Sequence, residues 1–534
     1  MSNTVDHSGE AKSYQSSQSF RRLVGLWFVR RFQQASLTRI MTAVGLAVVL
    51  ILLLGLIQFS SPNLAGNDGY YHIKLAYIMR TEGLKPDFPW LPLTILNPRE
   101  FYDHHFLYHV VLIPFTFGDL RIGAKLSAVL FSTLAFLCVW RLLDKQRVPY
   151  ASLWTLGLMA VSEAFIFRMS IPRAQSLSLA VLVIGIHWLL TKKHTRLFLL
   201  GFIYVWLYNA FPLLVAVTGI YVVAAWLSER QLDFRPLLYS IAGITVGLVI
   251  NPYFPYNITF AFNHITPKIF DTTAVSVGTE WFPYNTGQLL SNSPLALVAF
   301  ISGTLALGLA VQRMDVRTAV TFLLACMFGF MLFQSRRFIE YFPAFSLMFA
   351  AFAWTPLINR SIIRNQIHAL RDQEQSRTKL KRLVPVSLLV IVLIPGIWLT
   401  FNQSKGTLQT STPFHLYANA SAWLQANSPA GERVFQTDWD DFPRLFFHNS
   451  HNTYLVGLDP TYMQFYDAEL YDHWVEITQG KVDIPSNAIS AKFGAFYVFT
   501  DLHHQGFIDQ AENDPQLVEV YRDTEAVIYQ IVSN

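Results

Sequence analysis

Charge is scarce in this sequence. Of its 534 residues only 14% are Asp, Glu, Lys or Arg, against roughly 25% in a soluble domain, while 52% are hydrophobic and 15% aromatic. So little charge excludes an ordinary water-soluble enzyme of this length. Repeated apolar runs of about 20 residues point instead to a polytopic membrane protein. Cysteine is equally rare. Cys138 and Cys326 both lie inside apolar runs, so no disulfide framework is implied. P-loop, G-x-G-x-x-G, H-E-x-x-H and G-x-S-x-G patterns are missing, which leaves nucleotide-driven pumping and serine hydrolysis without their motifs. No internal repeat of the kind found in transporters is evident. The opening MSNTVDHSGEAKSYQSSQS lacks the apolar core of a signal peptide, so residues 1–38 are expected to be a cytoplasmic, disordered and basic lead-in. The formal charge of +5 does not imply nucleic acid, because the basic residues collect in short loops between apolar runs.

What is present is a series of spans. Apolar runs near 39–60, 122–143, 151–168, 173–191, 195–210, 211–228, 236–252, 293–311, 316–333, 338–357 and 383–402 predict about eleven to thirteen transmembrane helices within 39–402. The run 106–117 is too short to cross and reads as re-entrant or interfacial. Arg21, Arg22, Arg30, Arg31 and Arg39 precede the first span, and further clusters at 141–147, 192–196, 229–235, 312–317 and 358–382 fall at each return to that side. The positive-inside rule makes that side cytoplasmic. An odd count of spans then places loops 61–121 and 253–292, and everything after 402, outside. A bacterial inner membrane is the expected setting. Residues 403–534 alternate strand and helix patterns: strands at 431–438, 452–458 and 495–501, helices at 439–449 and 467–480, and a closing hairpin at 517–532. They predict a small extracytoplasmic α/β domain.

The polar chemistry gathers on the outer side. Asp68 in NDGYYH reads either as a helix N-cap or, with His72 beside it, as a general base or hard-metal ligand. YDHH adds Asp103, His104 and His105, with His109 one helical turn beyond His105, a plausible metal set that matches no defined zinc spacing. Arg168, Arg173, Arg336 and Arg337 are cations on the side that should be poor in them, and guanidinium forks suit phosphate oxygens. Glu280 stands beside Trp281, Phe282 and Tyr284, an acid among aromatics as at a sugar or peptide site. TDWDDFP (437–443) follows an expected strand and presents Trp439 and Asp440 from the turn.

In this order the features resemble the GT-C class of polyprenyl-phosphate-dependent glycosyltransferases, in particular the catalytic subunit of oligosaccharyltransferase, over nearly the whole chain after residue 35. The resemblance implies that Asp68 in the first external loop is catalytic or metal-binding, and that FRMSIPRAQS occupies the next motif. It implies that SVGTEW supplies the catalytic-loop Glu280, that QSRRFIEYF supplies lipid-phosphate arginines, and that TDWDDFP stands for W-W-D-Y-G, with Trp439, Asp440 and Trp281 facing the acceptor. Two departures are plain. Arg173 and Gln175 stand where the family carries its second acidic pair, which leaves a divalent cation (Mg or Mn) dependent on Asp68, Asp103, His104 and His105. The altered W-W-D-Y-G run does not support recognition of an Asn-containing sequon. The implied activity is inverting transfer of a sugar or glycan from a polyprenyl-linked donor in the lipid bilayer to a glycan, lipid or protein acceptor. A transporter or flippase, or a non-catalytic assembly protein for lipid-linked glycans, is the alternative.

Overall fold

The computed structural model describes residues 37–270, 278–371 and 375–532; the expected lead-in therefore lies, up to residue 36, outside the described residues. The chain divides into Met1–Leu52, whose described part is the start of an apolar helix, and Leu53–Asn534, which holds every other element.

Among the described residues, five helices are long and apolar enough to cross a membrane: Leu37–Gln58, Leu120–Lys145, Pro212–Glu229, Val316–Gln334 and Phe342–Arg360. Two bent pairs, Glu163–Ser170 with Gln175–Leu190 and Thr286–Asn292 with Pro294–Ala310, raise that number to seven when each is taken as one span. The protein is an integral membrane protein, and among the described residues five to seven of the expected spans form helices of full length.

The shortfall has local causes. The runs 195–210 and 236–252 form helices Arg196–Leu207 and Arg235–Val249, of 12 and 15 residues. At 1.5 Å per residue these are well short of a hydrocarbon core of about 30 Å. The first ends where Tyr208 turns extended ahead of Pro212, the second just before Pro252. The run 151–168 does not form one helix. It breaks into Ala151–Leu156, a tighter turn Gly157–Met159 and Glu163–Ser170, the last started by Ser162, whose hydroxyl accepts from the Phe165 amide. The run 383–402 lies within the helix Gln375–Gln409.

One bend positions the site. Glu163–Ser170 and Gln175–Leu190 meet at 106° across Ile171, Pro172, Arg173 and Ala174. Pro172 cannot donate the hydrogen bond that would continue the helix. Arg168 therefore ends one helix while Arg173 sits in the corner. Against that corner packs the start of the helix Asp68–Glu82. A Cβ on Gly69 would stand 3.0–3.2 Å from the Pro172 ring, so the absence of a side chain there lets Asp68 approach Arg173.

The C-terminal domain is α/β, as expected. Strands β1 (Arg433–Gln436), β2 (Thr453–Tyr454), β3 (Tyr497–Asp501), β4 (Leu517–Arg522) and β5 (Ala526–Ile531) form one sheet in the order β2-β1-β3-β5-β4. β1 runs parallel to β2 and β3, while β3–β5 and β5–β4 are antiparallel. Phe435, Val498, Val527 and Tyr529 pack with Trp474 and Phe507 in one cluster. Val434, Tyr497, Phe499 and Ile528 belong to a second cluster. It continues through Phe442, Phe446 and Tyr454 to Tyr71, Phe88 and Trp90 of the first loop. Shared apolar burial thus ties the domain to the helix that carries Asp68 and His72.

Candidate active site

The turn after β1 and the helix Asp68–Glu82 open onto a cavity of about 540 Å³. Its lining includes Asp68, His72, His104, His105, Arg168, Arg173, Glu280, Trp281, Arg337, Trp439 and Asp440. Asn67 and Asp440, which meet in this wall, are 373 positions apart in sequence, and only the fold brings them together.

Asp68 does not serve as an N-cap. Asn67 holds that position and makes no side-chain capping bond, while Asp68 is the first helical residue. Its Oδ2 instead accepts from Arg173 Nη1 at 2.7 Å. His72 follows one turn later on the same face of the helix. Burial, reinforced by His109 and Arg173, keeps the His72 imidazole well below its ordinary pKa, in the neutral form that can accept a proton.

Arg173 connects Asp68 to a knot of ion pairs around Glu280. Arg337 Nη1 donates to Glu280 Oε1 at 2.7 Å, Arg168 Nη2 to Oε2 at 2.8 Å, and Arg173 Nη1 lies 3.6 Å from Oε2. Arg168 also donates through Nε and Nη2 to Glu340 Oε1, at 3.0 and 2.5 Å. Arg337 Nη2 donates to the Tyr208 hydroxyl at 2.7 Å, and its guanidinium lies 4.8 Å from the centre of the Trp281 ring. Burial would raise the Glu280 carboxyl, but Arg337, Arg168 and Arg173 overcome that effect and hold it well below the usual carboxylate range. Glu280 is reached through Gly278, at φ +91°, over which the Trp439 indole packs 3.6 Å from the position a Cβ would take.

The adjacent arginines Arg336 and Arg337 part company. Arg336 is absent from the cavity wall. Its Nε donates to the Pro283 carbonyl at 3.2 Å, and its guanidinium lies 5.3 Å from the Tyr284 ring centre. It borders a second cavity of about 200 Å³, shared with Arg168, Glu280, Phe167 and Ile339. Arg168 and Glu280 therefore line both cavities.

The turn after β1 brings the C-terminal domain to the site. Asp438 Oδ1 caps the turn by accepting from the Asp440 amide at 2.9 Å. Asp440 opens onto the cavity, where Asn67 Nδ2 donates to its Oδ1 at 3.2 Å. Desolvation within the cleft, with the charges of Asp68 and Asp438 adding to it and the Asn67 bond opposing, raises the Asp440 carboxyl to about 6. Against an ordinary value of 3.8, the native chain holds more protons than the unfolded one through this window, so stability falls as pH rises from about 4 to 6. Because the Asp440 side chain is exposed and its charge is screened by solvent, Asp440→Asn is expected to melt only slightly above the unmodified protein at about pH 7.5 and to converge with it by about pH 4. A thermal scan in detergent checks this, and a lower midpoint for the variant at the higher pH contradicts it.

The expected metal set does not assemble. Asp103 is buried behind the cavity wall, with its Oδ1 accepting from the His105 amide at 3.0 Å and its Oδ2 facing His109 Nδ1 at 2.7 Å. Asp68 is engaged by Arg173. Among the described residues no group of three or more His, Cys, Asp or Glu side chains converges to hold a metal ion. The guanidinium of Arg173 supplies the positive charge beside Asp68. The site also contains residues that no pattern in the sequence singles out: Asn209, Tyr462 and Asp459 in the wall and Tyr208 behind it; Asp438 and Glu340 join from within the quoted motifs, and His109 stands behind the wall as a partner of Asp103.

No family model and no curated protein matches the sequence. Solved structures do match the fold. The archaeal oligosaccharyltransferase AglB from Archaeoglobus fulgidus, in complex with an inhibitory peptide and a dolichol-phosphate, aligns with a TM-score of 0.63 at 13% identity, covering 88% of this chain and 71% of that one. The fold is the GT-C fold. ArnT from Cupriavidus metallidurans bound to undecaprenyl phosphate aligns with a TM-score of 0.56 at 14% identity, over 92% of this chain and 98% of ArnT. The mycobacterial arabinofuranosyltransferase AftD gives 0.53 at 13% identity, with 92% of this chain matched to 40% of AftD. Within this GT-C fold the cavity lies where the helix Asp68–Glu82, the bent pair at Arg173 and the turn after β1 converge.

Proposed function

We propose that the protein is an inverting glycosyltransferase that moves a sugar or glycan from a polyprenyl-phosphate or -diphosphate donor to an acceptor on the non-cytoplasmic side. The observation that carries this reading is the gathering of three guanidinium groups, Arg168, Arg173 and Arg337, with Asp68 and His72 in the wall of one cavity, where Arg173 links Asp68 to the arginine cluster. The dolichol-phosphate and undecaprenyl phosphate named for AglB and ArnT support a lipid-phosphate donor in the same fold.

The donor phosphate occupies the arginine wall, taking over hydrogen bonds that Glu280 now accepts, with Arg336 reaching it from the smaller cavity. Phe167 and Ile339 in that cavity give the polyprenyl chain an apolar path. Charge that develops on the leaving phosphate meets donors already in place, and such preorganised stabilisation commonly contributes more to transfer catalysis than any other single effect. Glu280, once released, and Asp68 orient the acceptor, whose body rests against Trp281, Trp439 and Asp440. Positive charge in the loops on the N-terminal side supports a cytoplasmic N-terminus and, with it, a cavity on the non-cytoplasmic side.

The test uses purified protein in detergent with a panel of polyprenyl-monophosphate and -diphosphate sugars, following loss of the sugar. Consumption of one donor class supports transfer; binding of undecaprenyl phosphate without consumption, in the presence of glycan, lipid and peptide acceptors, favours a carrier. Arg173 engages Asp68 and His109 engages Asp103, so EDTA is expected to leave donor consumption within about twofold of its untreated value, whereas removal of an essential metal or its orienting partners costs about 10–100-fold or more. Restoration by added Mg or Mn after such a loss reinstates the metal.

A further inference from the structure

Three buried side chains form a hydrogen-bonded line that runs from His72 in the cavity wall to His109 and Asp103 behind it. Asp103 Oδ2 lies 2.7 Å from His109 Nδ1, and His109 Nε2 lies 2.8 Å from His72 Nδ1. Asp103, His109 and His72 expose 2%, 0% and 3% of their surface, so water does not compete for these bonds. His109 stands on the short helix Phe106–Leu112, and Asp103 is fixed at its start by accepting the His105 amide through Oδ1.

The carboxylate sets the direction of the line. A carboxylate only accepts, so His109 carries its proton on Nδ1 and presents a lone pair at Nε2. His72 must then donate from Nδ1, which leaves its Nε2 bare, and His72 lines the cavity. We infer that His72 is the general base of the reaction and that Asp103 and His109 are positioning residues that fix its tautomer. The assignment rests on the glycosyl-transfer reading. In the step, the acceptor oxygen bonds to the anomeric carbon as its proton passes to His72 Nε2. The bond from that carbon to the phosphate oxygen breaks, and the polyprenyl phosphate or diphosphate leaves with the electron pair among the arginines. The imidazolium formed on His72 is stabilised through His109 by the Asp103 carboxylate. Asp68, held by Arg173, is left to orient the acceptor.

Asp103→Asn tests the direction of the line without emptying it. Asparagine has one oxygen, and the His105 amide requires it. The amide NH₂ then faces His109 Nδ1, which must become an acceptor. His109 donates from Nε2, His72 accepts at Nδ1, and the proton lands on His72 Nε2, where the base should be. The same exchange in catalytic triads costs about 10⁴ in turnover by imposing the wrong tautomer.

Purified full-length protein is assayed with the polyprenyl-phosphate and -diphosphate sugar panel in the presence of glycan, lipid and peptide acceptors. Asp103→Asn and His109→Ala are expected to lower kcat by about 10²–10⁴-fold with donor KM within about threefold, as loss of a general base does. His109→Gln, which can donate to Asp103 and accept from His72, recovers part of the loss, and exogenous imidazole partly rescues His72→Ala. Isotope-labelled histidine NMR reads the tautomers directly, independently of activity. His109 protonated on Nδ1 in the unmodified protein and on Nε2 in Asp103→Asn is the expected result. An Asp103→Asn protein with unchanged kcat, or with unchanged tautomers, overturns the relay. An unmodified protein that consumes no donor while showing the expected tautomers overturns the transfer reading instead.

Discussion

Asp68→Ala is expected to reduce donor consumption by about 10²–10⁴-fold while leaving binding of undecaprenyl phosphate intact or tighter. The reason lies in what the carboxylate touches. Asp68 Oδ2 accepts from Arg173 Nη1 at 2.7 Å, and the same nitrogen lies 3.6 Å from Glu280. Removing Asp68 frees Arg173 to turn toward the phosphate, so donor affinity does not fall. What is lost is the acid that orients the acceptor at the start of the helix carrying His72. Asp68→Asn keeps the shape but not the charge and is expected to fall between the two. Turnover and lipid-phosphate binding measured on the same preparations separate these effects. Loss of binding with retained kcat would show that Asp68 holds the donor instead.

The largest effect on stability is expected at Glu340, which lies outside the cavity wall. Its side chain is 1% exposed, and one oxygen accepts two N–H bonds from Arg168. Breaking a buried pair by removing one partner typically costs about 3–5 kcal/mol, because the remaining charge is left without its counter-ion. Glu340→Ala leaves Arg168 with Glu280 alone, in a cluster where Arg173 and Arg337 already draw on that carboxylate. A drop of that size in unfolding free energy, read as a lower thermal midpoint in detergent, is the expected outcome. Combining Glu340→Leu with Arg168→Met is expected to restore part of the loss, since two apolar partners leave no buried charge unpaired. A Glu340→Ala protein that melts within about 1 °C of the original contradicts the assignment, because a loss of several kcal/mol moves the midpoint by much more.

Asp68, Arg168, Arg173, Glu280 and Arg337 stand out in the sequence because charge is rare in this chain and expensive near a membrane, and Trp439 because it follows an expected strand in TDWDDFP. An acid or guanidinium beside an apolar run marks itself. Asp438, Tyr208, Asn209 and Tyr462 carry no such mark, since a polar residue or tyrosine at the end of an element has ordinary reasons to be there. Span length was less legible than span position. The run 195–210 is apolar enough to predict a span, yet its helix stops at Leu207 because Tyr208 turns extended. Side-chain direction was no more legible: Asp103, His104 and His105 adjoin in sequence, but Asp103 turns inward to His109.

The sequence alone determined a polytopic membrane chain, a C-terminal α/β domain and the segments that carry its acids and arginines. Hydropathy, strand–helix alternation and the cost of charge are properties of short stretches. Tertiary structure alone decided which acid meets which guanidinium, why Arg337 enters the cavity while its neighbour Arg336 leaves it, and that His72 and His109, 37 positions apart, share a hydrogen bond. Those pairings depend on the 106° bend at Pro172, the tight turn at Arg336–Glu340 and the packing of Phe442 and Phe446 against Tyr71. Each is set by contacts between segments distant in the chain, which local pattern does not encode.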